Sequence, residues 1–202
     1  EVFMLKAHVP LDIQTVNLYI FRGDVPTLID AGTLHEEVYD QVRAGLNYLD
    51  INRLEQVIVT HWHVDHAGGA QNFAREGSRI FIGARDYGEW KDFVDQKTAK
   101  MFMDCAEKIW KVPTATAEKM MRIYSGLLKM TAWPEGVETL EDGQRIKAGN
   151  TVLRAVHTPG HTVGHLSFYD ENERLLFSGD MLLPNQVPYP GIWQEGGQVV
   201  SG

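Results

Sequence analysis

The amino-acid sequence predicts an α/β layered fold, and three observations in its first half lead to this prediction. Residues 56–60 form a short β-branched run that is typical of a buried strand, and residues 79–82 form another. Apolar residues recur at helical spacing from Val38 to Leu49 before the first of these runs. The order of strand, loop, helix and strand is typical of layered α/β folds.

The elements around this pattern follow from local signals. Residues 15–21 and 27–30 predict two strands joined by a turn that contains Gly23 and Pro26. Thr33 and Glu36 have the spacing of a capping box, which predicts the start of the next helix. A further helix is expected to begin within residues 67–74.

A long segment from about residue 86 to residue 130 has a helical composition and is interrupted near Pro113. Its methionines have two interpretations: flexible packing residues on amphipathic helices, or an adaptable apolar wall over a binding site. Five of the seven methionines of the chain fall in it: Met101, Met103, Met120, Met121 and Met130.

Strand patterns resume at Val137 and continue at residues 152–156, 165–169 and 174–178. After Asp180 the chain is rich in proline and glycine and shows no clear element. We therefore predict a single domain over residues 1–202 with a helical insertion at about 86–130.

Composition narrows the classes of function. The net charge of −8 and the lack of a basic patch argue against a nucleic-acid partner. No apolar run is long enough to span a membrane, and the N-terminus does not resemble a signal peptide. Cys105 is the only cysteine, which excludes an intrachain disulfide and favours a reducing, cytoplasmic location.

Residues 61–66 contain three histidines and one aspartate directly after a predicted strand. Imidazole and carboxylate groups are good ligands for zinc, iron or manganese, so this segment predicts a metal site. Gly68 and Gly69 follow, and glycine allows close backbone approach and positive φ. Two later segments, residues 156–165 and 177–180, also place ligand-type side chains at strand ends.

These segments together resemble the successive motifs of the metallo-β-lactamase-fold hydrolase superfamily, including its glyoxalase II-like members. The resemblance covers about residues 17 to 180. It implies an αββα sandwich, here without the closing elements that the family adds at its C-terminal end. The matching residues are Leu28-Ile29-Asp30-Ala31-Gly32, Thr60-His61-x-His63-x-Asp65-His66-x-Gly68-Gly69, Thr158-Pro159-Gly160-His161-Thr162 and Ser178-Gly179-Asp180.

The resemblance also implies a ligand set for two divalent metal ions, with zinc expected first and iron or manganese as alternatives. By this resemblance His61, His63 and His161 hold the first ion, Asp65 and His66 help to hold the second, and Asp180 bridges the two. Asp30 is expected to orient a ligand from outside the coordination sphere. Asp65 is also expected to orient the attacking water and to accept its proton.

One expected ligand is missing, because the family supplies a further histidine from a loop nearer its C-terminus. This sequence has no histidine after His165. Two explanations stay open: a chain that lacks its tail, or an intact protein with an incomplete second site.

The expected function is metal-dependent hydrolysis, in which a metal-bound hydroxide cleaves an ester, thioester, lactone or related acyl bond of a small molecule. The methionine-rich segment hints at an apolar substrate. The alternatives are a phosphodiesterase of the same fold, a diiron redox protein, and a non-catalytic relic that still binds metal.

The remaining histidines and three aromatic residues receive lesser roles. His157 is expected to satisfy a structural hydrogen bond, and His165 begins a strand without being counted as a ligand. His8 and His35 are predicted at the surface. For three aromatic residues a pocket wall and plain packing stay open: Trp62, Tyr189 and Trp193.

Overall fold

The first sheet has six strands in sequential order, parallel from the third strand onwards. The computed structural model describes residues 1–104, 106, 111–184, 187–195 and 198–201. Because β3 to β6 run in parallel, their C-terminal ends meet at one edge, where α/β folds usually place their sites. The strands are β1 (Val2–His8), β2 (Thr15–Phe21), β3 (Thr27–Ile29), β4 (Gln56–Ile58), β5 (Arg79–Gly83) and β6 (Glu138–Leu140).

The second sheet has four antiparallel strands and packs face to face on the first. Its strands are β7 (Arg145–Ala148), β8 (Thr151–His157), β9 (Leu166–Asp170) and β10 (Leu175–Phe177). The core between the sheets joins side chains such as Ile29 and Ile58 to Leu153 and Phe168. A separate hairpin follows, formed by β11 (Ile192–Glu195) and β12 (Gln198–Ser201).

Helices cover the other face of the first sheet. They are α1 (Glu36–Tyr48), α2 (Val64–Ala67), α3 (Ala70–Arg75), α4 (Ala84–Val94), α5 (Lys97–Asp104) and α6 (Thr114–Leu128). Neighbouring residues of β4 show the alternation of a strand that is buried on both faces: Val57 points to the helices and Ile58 to the second sheet. Within the described ranges, no helix is both long and apolar enough to cross a membrane.

The predicted strands and the break near Pro113 are confirmed, but two local predictions are wrong. The capping box does not form, because His35 is the N-cap of α1 and the buried Thr33 hydroxyl has no partner among the described residues. The segment after Asp180, where no element was predicted, contains the β11–β12 hairpin.

In the described part of the chain, the two sheets of the expected sandwich are present, and helices cover only the outer face of the first sheet. The six α-helices of the described residues all precede β6 in sequence, and their main strand contacts are with the first sheet. The outward face of the second sheet exposes Val152 and Leu176. The described residues thus form the αββ part of the predicted αββα arrangement.

Candidate metal centre

Four loops bring the predicted site residues to one end of the sandwich. Asp30 follows β3, and the segment from Thr60 to His66 follows the adjacent parallel strand β4. His161 follows β8 and Asp180 follows β10, two strands that run in the same direction in the second sheet. A backbone hydrogen bond of 2.8 Å from Leu166 N to Thr60 O joins the two sheets beside the site.

The glycines after the histidine motif allow close approach of the backbone, as predicted. A Cβ atom on Gly68 would lie 2.2 Å from the Met130 carbonyl oxygen, and one on Gly69 would lie 2.3 Å from that of Ala31. Neither glycine adopts a positive φ, since φ is −55° at Gly68 and −78° at Gly69. These glycines therefore serve packing, and they let the motif press against the loop that carries Asp30.

The first cluster consists of His61, His63 and His161. Their ligand-type nitrogen atoms all lie within 4.8 Å of one another. His61 and His161 are buried, and His63 is half-buried. His61 Nε2 lies 3.1 Å from His63 Nδ1.

The second cluster shares His61 with the first and adds His66 and Asp180, again within 4.8 Å. His66 Nε2 lies 3.3 Å from Asp180 Oδ1 and 3.4 Å from Asp65 Oδ2. The other oxygen of Asp180 lies 3.5 Å from His161 Nε2. Asp180 therefore faces both clusters, and Asp65 lies beside the second.

Hydrogen bonds orient three of the imidazole rings. His66 Nδ1 donates to Asp30 Oδ2 over 2.8 Å, and His161 Nδ1 donates to the Tyr189 carbonyl oxygen over 2.7 Å. The Thr60 hydroxyl donates its single hydrogen to Asp30, so His61 Nδ1 donates to Thr60 Oγ1 over 3.1 Å. Each of these rings thus directs Nε2 into the cluster, as metal-ligating histidines do.

The electrostatics separate neutral imidazoles from charged groups. Burial, with His66 and His63 nearby, holds the pKa of His61 well below its usual range, and burial with His161 lowers the pKa of His63 to about 4. Burial alone would lower the pKa of His66, but Asp65 and Asp30 outweigh it and raise that pKa well above the usual value. His66 in turn outweighs the effect of burial on Asp65 and holds the pKa of that carboxyl well below its usual range.

This donor set fits a metal centre. His161 Nε2 is buried and has no hydrogen-bond partner among the described residues. His61 Nε2 and His63 Nδ1 lie 3.1 Å apart and belong to the same cluster as His161. Buried polar atoms usually have partners, and a bound cation would satisfy all three nitrogens at once.

The histidines outside the ligand set have distinct surroundings. His157 Nε2 lies 2.9 Å from the Val163 carbonyl oxygen, which is the structural hydrogen bond that was predicted. His8 and His35 are exposed, as expected. His165 is fully buried, with its ring 5.0 Å from that of His61 and its Nδ1 2.9 Å from Thr158 Oγ1.

Comparison with known proteins identifies the fold family. The model of the metallo-beta-lactamase superfamily matches residues 11–200. The chain belongs to this superfamily. A crystal structure of a metallo-beta-lactamase family protein from Thermus thermophilus superposes with a TM-score of 0.82 at 24% identity, covering 93% of this chain and 61% of that one.

Curated superfamily members of similar sequence are longer than this chain. The probable metallo-hydrolase YqjP of Bacillus subtilis is 29% identical, and the match covers 94% of this chain and 60% of YqjP. The atrochrysone carboxyl ACP thioesterase nsrC of Aspergillus novofumigatus is 28% identical over 85% of this chain and 39% of its own length. The chain thus spans about two fifths to three fifths of these relatives.

A cleft of about 390 Å³ in this chain adjoins the second cluster. Its lining includes Asp65, His66 and Asp180 at the cluster and extends over Tyr19 and Phe177. Strands β1 and β2 and the segment after Asp180 supply further lining residues of the cleft. None of the lining residues of this cleft comes from the methionine-rich helices.

Among the residues that were considered for a pocket wall, two methionines and one tryptophan have clear packing contacts. Met121 and Met130 pack in a small apolar cluster with Val64 and Phe93. Trp62 packs on Phe93 with ring centroids 5.1 Å apart. The Tyr189 side chain is exposed, whereas the Trp193 and Met101 side chains and Cys105 lie outside the described part of the chain.

Proposed function

We propose that this chain is a metal-dependent hydrolase of acyl bonds, namely esters, thioesters or lactones, and that its centre takes two divalent ions. The pair of clusters that share His61 carries this proposal. In it, His61, His63 and His161 would hold the first ion, Asp65 and His66 would hold the second, and Asp180 would serve both. The position of Asp180, with one oxygen toward His66 and the other toward His161, supports a bridging role.

When bound, divalent ions in such a centre supply Lewis acidity and lower the pKa of a coordinated water from about 15.7 to about 7. The chain contributes a carboxylate at the cleft, because Asp65 belongs to its lining and lies 3.4 Å from His66 Nε2. Asp65 can therefore orient the attacking water and accept its proton. The apolar surfaces of Tyr19 and Phe177 offer a wall for the acyl group of the substrate.

The names of similar proteins favour the hydrolysis of acyl bonds over other hydrolytic reactions. The fungal relatives named as atrochrysone carboxyl ACP thioesterases match 85% of this chain. The net charge of −8 also disfavours long polyanionic substrates such as nucleic acids. Zinc is the first metal to test, with iron and manganese next, because histidine and aspartate ligands accept all three.

The test is a hydrolysis panel with the protein loaded separately with each metal. The substrates are an acyl-CoA thioester, a p-nitrophenyl acyl ester, a lactone and bis(p-nitrophenyl) phosphate. We expect metal-dependent turnover of at least one acyl substrate, and its loss in His63→Ala and Asp180→Ala. His35→Ala, which removes an exposed imidazole, is the matched control and should leave turnover unchanged.

Other outcomes would assign the chain differently. Turnover of the phosphodiester alone would indicate a phosphodiesterase. Full metal loading with no hydrolysis of any substrate would favour a relic that only binds metal. Undiminished turnover in His63→Ala would refute the assignment of the centre.

A further inference from the structure

The carboxylate of Asp86 is buried in the first turn of α4, outside both clusters. Its side chain is fully inaccessible to solvent. Asp86 Oδ2 accepts hydrogen bonds from Trp62 N at 3.1 Å and from Thr162 Oγ1 at 2.6 Å. Asp86 Oδ1 accepts a third from Gly164 N at 2.6 Å.

The three donors belong to the two segments that supply the first cluster. Trp62 lies between His61 and His63 in the chain, and Thr162 directly follows His161. These segments follow strands of different sheets and lie about a hundred residues apart in sequence. We propose that Asp86 is a positioning residue that sets the distance between the His61–His63 segment and the His161 segment, and so shapes the metal centre.

The chemistry of the contact supports more than a packing role. Burial raises the pKa of Asp86 to about 6, although the hydrogen bonds from Thr162, Gly164 and Trp62 act to lower it. No cation pairs with this carboxylate among the residues that the structure describes. A buried carboxylate without a cation is costly, so these three donors are what hold it in place.

The surrounding backbone leaves little freedom to adjust. A Cβ atom on Gly164 would lie 2.2 Å from Asp86 N and 2.7 Å from Asp86 Oδ1. A Cβ atom on Gly83, just before α4, would lie 2.2 Å from the Gly164 carbonyl oxygen. The start of α4 is thus in direct backbone contact with the His161 segment, and a change at Asp86 passes to that segment.

Substitution by asparagine isolates the acceptor role because the side chain keeps its size. The amide has one acceptor oxygen, so its NH₂ group must face either Gly164 N or the pair formed by Trp62 N and Thr162 Oγ1. Either orientation places donor against donor. Replacing Thr162 by valine removes one of the two 2.6 Å bonds from the donor side, whereas serine retains the hydroxyl.

The test measures zinc affinity by competition with a chelating dye, together with the visible spectrum of the Co²⁺-substituted protein, which reports ligand geometry. Asp86→Asn and Thr162→Val should weaken zinc binding about 10- to 100-fold and change the Co²⁺ spectrum. Thr162→Ser should stay near wild type. Asp92→Asn, the same change at a carboxylate of α4 that pairs with Lys97 at the surface, is the control.

A merely structural role predicts a different result. Unchanged zinc affinity and Co²⁺ spectrum in Asp86→Asn and Thr162→Val, even with a lower melting temperature, would overturn the inference. If Asp86→Asn does not fold, the Thr162 pair decides by itself. The inference rests on the proposed metal centre, so a wild-type protein that binds none of zinc, iron and manganese would overturn both proposals. Zinc binding that the variants do not alter overturns this inference alone.

Discussion

Asp30→Asn should weaken metal binding by changing which nitrogen of His66 carries the proton. Asp30 is buried, and its carboxylate accepts hydrogen bonds from His66 Nδ1 at 2.8 Å and from Thr60 N at 2.8 Å. In the asparagine variant the amide oxygen can accept from only one of these donors. If the NH₂ group faces His66, the imidazole must accept at Nδ1 and carry its proton on Nε2, the atom that points to Asp65 and Asp180.

The size of this effect follows from the contact that is lost. Loss of a partner that orients a metal-binding histidine typically lowers metal affinity about 10- to 100-fold, which corresponds to about 1.4–2.7 kcal/mol. Loss of one hydrogen bond to a charged group should also lower the free energy of unfolding by about 1.5–3 kcal/mol. Backbone strain does not contribute, because asparagine tolerates the φ of 60° at this position.

The assay is a competition titration of zinc against a chelating dye near neutral pH, with thermal unfolding of the metal-free protein alongside. Asp50→Asn is a close control, because Asp50 is exposed and also has a positive φ of 56°. It should leave both quantities unchanged. A zinc affinity for Asp30→Asn within about twofold of wild type, well short of the loss expected for an orienting partner, would refute the reasoning about the His66 proton.

Two further substitutions test the packing around the centre. Trp90→Phe removes the buried hydrogen bond of 3.0 Å from Trp90 Nε1 to Thr131 Oγ1. The free energy of unfolding, measured by urea denaturation, should fall by about 1–3 kcal/mol. An unchanged midpoint of the urea denaturation curve would contradict this. Gly179→Ala would place a Cβ atom 2.6 Å from His165 Nε2 at a φ of 50°, so a loss of about 1–3 kcal/mol is expected together with weaker zinc binding. Gly88→Ala, in open space on α4, should instead match or exceed wild-type stability, and equal behaviour of the two glycine variants would count against the steric argument.

Local sequence patterns predicted the strands that build the site because each is a short apolar run followed by a polar turn. The motif at residues 60–66 indicated the metal chemistry, since few other roles suit three histidines and an aspartate after a strand. The structure brings His161 and Asp180 to that motif. Their roles as ligands stay a prediction until metal binding is measured.

Other features had no signal in a single sequence. Asp86 has the same appearance as any acidic residue in the first turn of a helix, and only the approach of two distant loops buries it. The Tyr189 carbonyl oxygen that orients His161 is a backbone atom, so no side-chain pattern could indicate it. The capping box failed because tertiary packing buries Thr33, and the N-cap of α1 is His35, two residues later.

The division of the ligand set between two sheets has a consequence for the order in which the protein matures. His61, His63 and His66 are close in the chain, so even a nascent or unfolded polypeptide presents them together. His161 follows a strand of the second sheet, so its imidazole reaches the other three only when the two sheets pack together and Leu166 N bonds to Thr60 O. Contacts between such distant residues form slowly, because a long loop must close first. High metal affinity would therefore appear late in folding. The time course of metal binding during refolding would then report when the two sheets pack together.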